Sequence, residues 1–275
     1  EIVVFMLFLK IFKAFQKPTK LLWLYWLNPL VILEITGNLH FEGLVLLFLL
    51  ASILAFEKKN EPLSGGFWGF AVGMKLLPFM LLPAWFFFNK TKKNTLFWAG
   101  AILALMLSLG WFFVSASDAN FLQSLKLYQG KFEFNASIYY LLREVGFWIQ
   151  GYNTIGALTK ILSIVTLIAI VFFSWKKKPQ TLIELVDLWI LIYLIYLILQ
   201  PVVHPWYLIP AFGLSLLTGR NTFLIWTFAA IFSYQAYESD PVTENPVFLL
   251  IEYLLVLGGI YLDYLLPKRT LNFKP

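Results

Sequence analysis

Residues 28–42 read N-P-L-V-I-L-E-I-T-G-N-L-H-F-E and lie between two apolar runs, 21–33 and 43–56. Between Glu34 and Glu42 this stretch holds two carboxylates, the Asn38 amide and His40, one of only 2 histidines in the chain. Ionisable side chains cost free energy at membrane depth, and most of those found there serve a function. We therefore expect the topology and the activity to be organised around this polar stretch.

The composition predicts an all-α, polytopic transmembrane helix bundle. The 275 residues are 60% hydrophobic and only 13% charged, about half the charged share of a soluble domain. Because cysteine is absent, disulfides, thiolate metal sites and cysteine nucleophiles are excluded. The chain carries no P-loop, no dinucleotide-binding glycine motif, no H-E-x-x-H and no charge block typical of nucleic-acid binding. We treat residues 1–275 as a single transmembrane domain with an external insertion at 117–153.

Candidate spans are apolar stretches that approach the roughly 20 residues needed to cross a bilayer core. They are 1–16, 21–36, 42–56, 64–88, 94–116, 154–174, 181–202, 205–219, 221–236 and 247–266. Several are short, and proline or glycine interrupts them. Such helices are tolerated at membrane depth only where protein or a water-filled cavity satisfies the freed backbone groups. The pattern therefore predicts short, broken and re-entrant helices around a cavity.

The distribution of lysine and arginine predicts the orientation, because basic loops face the cytoplasm. The basic clusters are Lys10/Lys13/Lys17/Lys20, Lys58/Lys59, Lys90/Lys92/Lys93, Lys176–Lys178, Arg220 and Lys268/Arg269/Lys274. The linkers 34–42, 117–153, 203–205 and 237–246 hold few basic residues, and we predict that they are external. Both histidines then lie on the same external side.

Residues 64–88 lie between two basic loops, so one straight span would place one of those loops outside. Lys75 and Pro78 interrupt the middle of this segment. We interpret it as a re-entrant helical hairpin with Lys75 near its apex. The alternative is a single full span, which would invert the orientation of everything before it.

The first candidate site residues are Glu34, Asn38 and Glu42, whose spacing of four would align them on one helix face. Gly37 argues against a continuous helix and for a turn. Together with His40, these side chains are suited to hold sugar hydroxyls, act as a general base or bind a divalent cation. The alternative is a solvated loop between two spans, and it applies more strongly to Glu42 than to Glu34.

Lys75 and the segment His204-Pro205-Trp206-Tyr207 are further candidates. Lys75 would pair with a phosphate or with Glu34, or else extend its ammonium to the interface. His204, Trp206 and Tyr207 are suited to stack on a sugar or to hold a phosphate, although aromatic residues also mark membrane interfaces generally.

The 117–153 insertion contains two stretches with helical amphipathic spacing, 121–128 and 137–148. We predict helices that lie along the membrane surface, with Asn135 in the turn between them. Arg143 would bind a lipid phosphate, or pair with Glu144 or lipid head groups.

These stretches together resemble the GT-C superfamily of integral-membrane glycosyltransferases. Within that superfamily the chain is similar to bacterial polyprenol-phosphate-mannose-type transferases of glycosyltransferase family 87 and similar families. The resemblance lies in residues 28–42, in G-G-F-W-G-F-A-V-G-M-K-L-L-P-F-M-L-L-P (65–83), in residues 121–139 and in H-P-W-Y-L-I-P (204–210). It touches most of the chain, although each motif alone is weakly specific.

The resemblance implies a multi-pass protein of the bacterial inner membrane with an outward-facing active site. The implied reaction transfers a mannose-like sugar, with inversion, from a polyprenyl-phosphate donor to a glycan or lipid acceptor. It also implies a catalytic carboxylate in the first external loop, which we expect upstream of Glu1, with Glu34 and Glu42 as the candidates within this sequence. We then expect donor-phosphate contacts from Lys75, Arg143 and His204.

The same resemblance suggests that Glu34, Asn38 and His40 contact the sugar or the acceptor. We expect no nucleic-acid partner and no structural metal site. Two other readings stay open: a transporter or lipid flippase, since broken helices with midplane charge also occur there, and a structural subunit of a membrane complex.

Overall fold

The computed structural model of the chain describes residues 1–88, 94–114, 120, 123–124, 131–238 and 242–266. Most of the predicted surface helix 121–128 lies outside these residues. So do the basic residues Lys90, Lys92, Lys93, Lys126, Lys268, Arg269 and Lys274.

The described chain is helical and contains no β-strand, as the composition predicts; its one bridge joins Phe134 to Val202. The helices of the first half are α1 (Ile2–Ala14), α2 (Leu22–Trp26), α3 (Pro29–Val31), α4 (Glu42–Glu57), α5 (Glu61–Met74), α6 (Leu82–Phe87) and α7 (Thr95–Val114). Those of the second half are α8 (Ile138–Gln150), α9 (Ile155–Lys177), α10 (Leu182–Leu199), α11 (Ile209–Thr218), α12 (Thr222–Ala229) and α13 (Pro246–Ile260).

Irregular helical turns extend several of these elements. A π-helix, Ile32–Gly37, continues α3, and another, Tyr261–Leu265, continues α13. The 3₁₀ segments Leu77–Leu81 and Pro205–Leu208 lead into α6 and α11, and Ala230–Glu238 follows α12.

Within the described residues, three helices have the length and hydropathy of membrane spans: Ile155–Lys177, Leu182–Leu199 and Pro246–Leu265. A fourth candidate is the pair Pro29–Gly37 and Glu42–Glu57, whose halves are bent by 106°. Several other predicted spans are divided into shorter pieces. The predicted span 21–36, for example, is interrupted at Leu27 and Asn28 because Asn28 caps α3 and Pro29 begins it.

The core is built around α10, which is apolar apart from Glu184 and Asp187 near its start. In the apolar stretch of α10, 56% of the residues are buried, whereas only 22% are buried in the corresponding stretches of α9 and α13. A helix that is hydrophobic all round is stable only when it is surrounded. We therefore place α10 inside the bundle, and the exposed apolar faces of α9 and α13 toward lipid.

The segment 64–88 folds as a hairpin that reverses at Lys75. Lys75 ends α5 in an extended conformation and contacts Glu42 at the first turn of α4. Phe88 returns to Phe56 at the other end of α4, with 5.4 Å between the ring centroids. Both ends of the segment therefore lie at the same end of α4, which is the hairpin arrangement predicted from the loop charges.

Small residues allow α5 to pack closely on α7. A Cβ atom at Gly65 would stand 1.9 Å from the carbonyl oxygen of Phe97, and one at Gly69 would stand 2.6 Å from that of Ala101. Backbones approach this closely only where side chains are missing. Gly65 and Gly69 therefore serve the packing of α5 on α7.

Candidate functional site

The site begins where the chain turns sharply between α3 and α4. After the π-helix ends at Gly37, residues 38–41 form a short break in which Leu39 has a φ of +59°. Glu34 and Glu42 lie on two elements bent by 106°, so of the two arrangements that the sequence leaves open, one shared helix face is excluded and the turn is found. A turn near Gly37 was expected, but the positive φ falls on Leu39.

Glu34 is fully buried and accepts hydrogen bonds on both carboxylate oxygens. Oε2 accepts from the Asn38 side-chain amide at 3.1 Å and lies 3.1 Å from Nε2 of His40. Oε1 accepts from the hydroxyl of Tyr234. Three of the predicted residues therefore do meet, and a tyrosine that the sequence analysis missed completes the set.

The second carboxylate, Glu42, contacts the ammonium group of Lys75. Glu42 is 2% exposed and Lys75 is 32% exposed. The other Glu42 oxygen, Oε2, is buried without a hydrogen-bond partner in the described part of the chain. Lys75 Nζ also lies 4.3 Å from the ring centroid of Tyr207, a cation–π contact. Of the two carboxylates, Lys75 therefore pairs with Glu42 and not with Glu34.

Both histidines stack on Trp206. The centroid of the indole lies 3.9 Å from the imidazole of His40 and 4.4 Å from that of His204, with interplanar angles of 13° and 10°. Tyr207 meets His204 edge to face at 5.4 Å. Because His40 follows the turn after α3 and His204 follows α10, this stack joins the two halves of the site.

The environment of His204 favours its neutral form. Burial, followed by the nearby positive charge of Lys75 and the proximity of His40, lowers the pKa of His204 to about 4. The hydroxyl of Tyr237 lies 3.4 Å from its Nδ1. His204 thus enters the site as a neutral hydrogen-bonding ring near neutral pH.

Asn135 lies beside this cluster but its side chain is engaged elsewhere. Its φ is +49°, and its amide donates to Glu252 of α13 at 2.9 Å. The ring of the preceding residue, Phe134, packs against His204 with 5.1 Å between the centroids and an interplanar angle of 30°. Asn135 therefore holds in place the segment that carries Phe134 to the site.

Arg143 lies on α8 in a local ionic cluster. It donates to Glu133 at 2.5 Å and to Glu144 at 2.9 Å, and it packs over the ring of Tyr140. Burial raises the pKa of Glu133, but hydrogen bonds from Tyr139, Asn153 and Arg143 outweigh that effect and lower it. The pairing with Glu144 is one of the alternatives that the sequence left open.

Tyr234 and Tyr237 were missed by the sequence analysis. They lie three residues apart in the 3₁₀ segment Ala230–Glu238, where residues i and i+3 eclipse. The signal available in the sequence was the change from an apolar run to the alternating S-Y-Q-A-Y-E of 233–238.

An open cleft of about 200 Å³ lies next to the cluster. Its lining includes Glu1, Ile35, His40 and apolar residues of the turn and α4. The broken helices predict a cavity, but of the candidate residues Glu34, His40, Lys75 and His204, only His40 lines this cleft. Among the described residues, no group of three or more His, Asp or Glu side chains is arranged to hold a metal ion.

Comparison with known proteins identifies the family. A family model described as glycosyltransferase family 87 matches residues 2–201, which include Glu34, Glu42 and Lys75 and end just before His204. Comparisons with curated proteins and with solved structures gave no significant match. The matched range covers well over half of the chain, and the apolar helices agree with a membrane location. The chain therefore belongs to glycosyltransferase family 87 and is a membrane glycosyltransferase.

Proposed function

We propose that the protein transfers a mannose-like sugar from a polyprenyl-phosphate donor to a glycan or lipid acceptor, with inversion, on the outer face of the membrane. The family supports the reaction type, and the resemblance described above supports the donor class. One observation carries the proposal. Lys75, the stacked histidines and Glu34 come from distant parts of the sequence and converge at one end of the bundle.

Lys75 is our candidate for contact with the donor phosphate. Its ammonium is partly accessible, whereas its partner Glu42 is almost fully buried. A buried carboxylate beside a cation keeps that cation in place when no substrate is bound. A phosphate that entered next to Tyr207 would share the same ammonium as a point charge.

Glu34, Asn38 and His40 are our candidates for sugar or acceptor hydroxyls. An ionised carboxylate accepts hydrogen bonds only, and each of its oxygens accepts more than one. Glu34 therefore retains acceptor capacity beyond its contacts with Tyr234, Asn38 and His40. The indole of Trp206 already stacks on both histidines, so we assign it to holding His40 and His204 in place, and we propose Tyr207 as the aromatic ring against which the apolar face of a sugar packs.

We assign supporting roles to Asn135 and Arg143. Asn135 is buried and anchors the segment that places Phe134 against His204. Arg143 fastens Glu133 to α8. A lipid phosphate would have to compete with both carboxylates for Arg143, so we favour Lys75 and His204 as the phosphate contacts.

In the proposed reaction the acceptor hydroxyl loses its proton to a base and forms the new bond to the anomeric carbon. The bond from that carbon to the phosphate oxygen breaks, and polyprenyl phosphate leaves with the electron pair. Lys75 would stabilise the charge that develops on the leaving phosphate. Glu34 and Glu42 already hold partners in this structure, so we assign them to orientation and to charge balance rather than to proton abstraction.

The test is a transfer assay with the full-length protein in membranes, using a polyprenyl-phosphate mannose donor. We expect Glu34→Ala and His204→Ala each to lower kcat/KM by about tenfold or more, because each removes hydrogen bonds worth about 1.5–3 kcal/mol when charged groups take part. Glu57→Gln, an exposed change at the other end of α4, is the matched control. Unchanged transfer in the double variant Glu34→Ala/His204→Ala, or activity only with a nucleotide-sugar donor, would overturn the proposal.

A further inference from the structure

A second polar centre lies where the segment 131–137 meets α13, and the transfer reaction does not use it. The backbone N–H of Asn135 donates to Oε1 of Glu244 at 2.6 Å. The side-chain amide of Asn135 donates to Oε1 of Glu252 at 2.9 Å, and the indole N–H of Trp226 donates to the same oxygen at 2.9 Å.

Glu252 is buried completely, and its second carboxylate oxygen lacks a partner. Its exposure is 0%, and Oε2 accepts no hydrogen bond in the described part of the chain. Such an atom is costly because its desolvation is not compensated. Glu252 also lines a cavity of about 10 Å³, a volume that holds one water molecule or one ion.

The cavity lining is rich in oxygen atoms. Besides apolar side chains, it contains Asn135, Ser233, Gln235, Glu244, Asn245 and Glu252. Carboxylates, amide carbonyls and hydroxyls are ligands typical of hard cations such as Ca²⁺.

The charge of this centre also points to a cation. Among the described residues, the hydrogen-bond donors to Glu244 and Glu252 are uncharged groups of Asn135, Tyr140 and Trp226. Neither carboxylate forms an ion pair within the described ranges, and Arg143 next to Tyr140 is paired with Glu133 and Glu144. If both carboxylates are ionised, a water molecule would fill the space but would add no positive charge to the uncharged donors found among the described residues.

We propose that this cavity binds one hard divalent cation of the Ca²⁺ class. The carboxylates of Glu244 and Glu252 supply the charge, and neighbouring amide and hydroxyl oxygens complete the ligand set. The site has only two carboxylate ligands, which agrees with the absence of any metal-binding group of three His, Asp or Glu side chains among the described residues. The cation fastens the segment 131–137 to α13. Because Phe134 of that segment packs on His204, occupancy also steadies the transfer site.

The experiment uses the purified full chain in detergent micelles, freed of metal with a chelator and titrated with CaCl₂ by calorimetry. We expect one calcium ion per chain and a reversible rise in Tm. Glu252→Gln and Glu244→Gln should each weaken calcium binding by about tenfold or more, since ligand charge sets the affinity of such sites. Glu144→Gln, an exposed change outside the cavity, should leave binding unchanged.

Two results would overturn the proposal. The first is the absence of calcium binding and of any calcium-dependent Tm shift in the wild-type protein, which decides the matter even if the variants fail to fold. The second is an infrared band of a protonated carboxyl group that disappears in Glu252→Gln and is insensitive to calcium. That band would show that a proton neutralises the pair instead of a metal ion. Calcium binding and sugar transfer are measured separately, so a failure of this proposal can be told apart from a failure of the proposed transfer.

Discussion

Replacing Lys75 with methionine separates two roles that the structure gives to its ammonium group. Lys75 neutralises the buried Glu42, and in our proposal it also contacts the donor phosphate. The variant Lys75→Met keeps most of the side-chain volume and removes only the charge. It leaves the Glu42 carboxyl group buried and without its cation.

The expected loss of stability follows from the exposure of the two partners. Removing one member of a fully buried ion pair costs about 3–5 kcal/mol, whereas an exposed pair contributes about 0–1 kcal/mol. Glu42 is 2% exposed but Lys75 is 32% exposed, so solvent screens part of the interaction. We expect Lys75→Met to lower the free energy of unfolding by about 2 kcal/mol. The double variant Lys75→Met/Glu42→Gln removes both charges and should recover stability to within about 1 kcal/mol of wild type.

Stability is measured by unfolding in mixed micelles, and activity by transfer from polyprenyl-phosphate mannose. If Lys75 contacts the donor phosphate, the double variant should fold well and still show kcat/KM lowered by about tenfold or more. Lys160→Met, an exposed change on α9, should alter neither quantity. A stable double variant with wild-type kcat/KM would refute the reasoning, because Lys75 would then serve only as the counter-ion of Glu42.

Three further predictions concern packing, pH and capping. Gly65→Val should strongly reduce the folded fraction in a thermal-unfolding assay in detergent, because a Cβ at Gly65 would stand 1.9 Å from a backbone carbonyl oxygen of α7. Gly66→Ala is the control, since its Cβ would meet its nearest atom at 3.8 Å. Since the folded pKa of His204 is about 4 and its ordinary value is 6.5, the unfolded chain binds the proton first. Stability should therefore be complete above about pH 6.5 and fall toward pH 4, by about 2 kcal/mol at about pH 5; a Tm–pH profile that is no flatter in His204→Gln than in wild type would contradict this. Asn28→Ala should cost about 1–2 kcal/mol in unfolding experiments, because the Asn28 side chain accepts two N–H bonds at the start of α3 and donates to Thr227 at 2.9 Å. A loss no larger than that of Thr227→Ala would show that the cap itself contributes nothing.

The helical membrane class could be predicted from the sequence because it depends on sums over many residues. Apolar content and the distribution of lysines are additive properties, and no tertiary contact is needed to assess them. The hairpin at Lys75 was one of two arrangements that the sequence left open, because two basic loops flank the segment 64–88 and Lys75 and Pro78 interrupt it.

Partners within the site could be predicted only where they are neighbours in the chain. Asn38 reaches Glu34 four residues away, a contact that helical spacing anticipates. The pairing of Lys75 with Glu42 rather than with Glu34 depends on how α5 returns along α4. Tyr234 is 200 residues from Glu34, and nothing in the local pattern links the two.

The sequence by itself determined that this chain is a helical membrane protein with its polar groups gathered at few positions. Only the tertiary structure decided which carboxylate faces which cation, that both imidazoles stack on one indole, and that Asn135 turns toward Glu252. The physical reason is that membrane insertion depends on the apolar content of whole segments, which the sequence contains. A hydrogen bond or an ion pair instead requires two atoms within about 3–4 Å, and the packing of distant helices sets that distance.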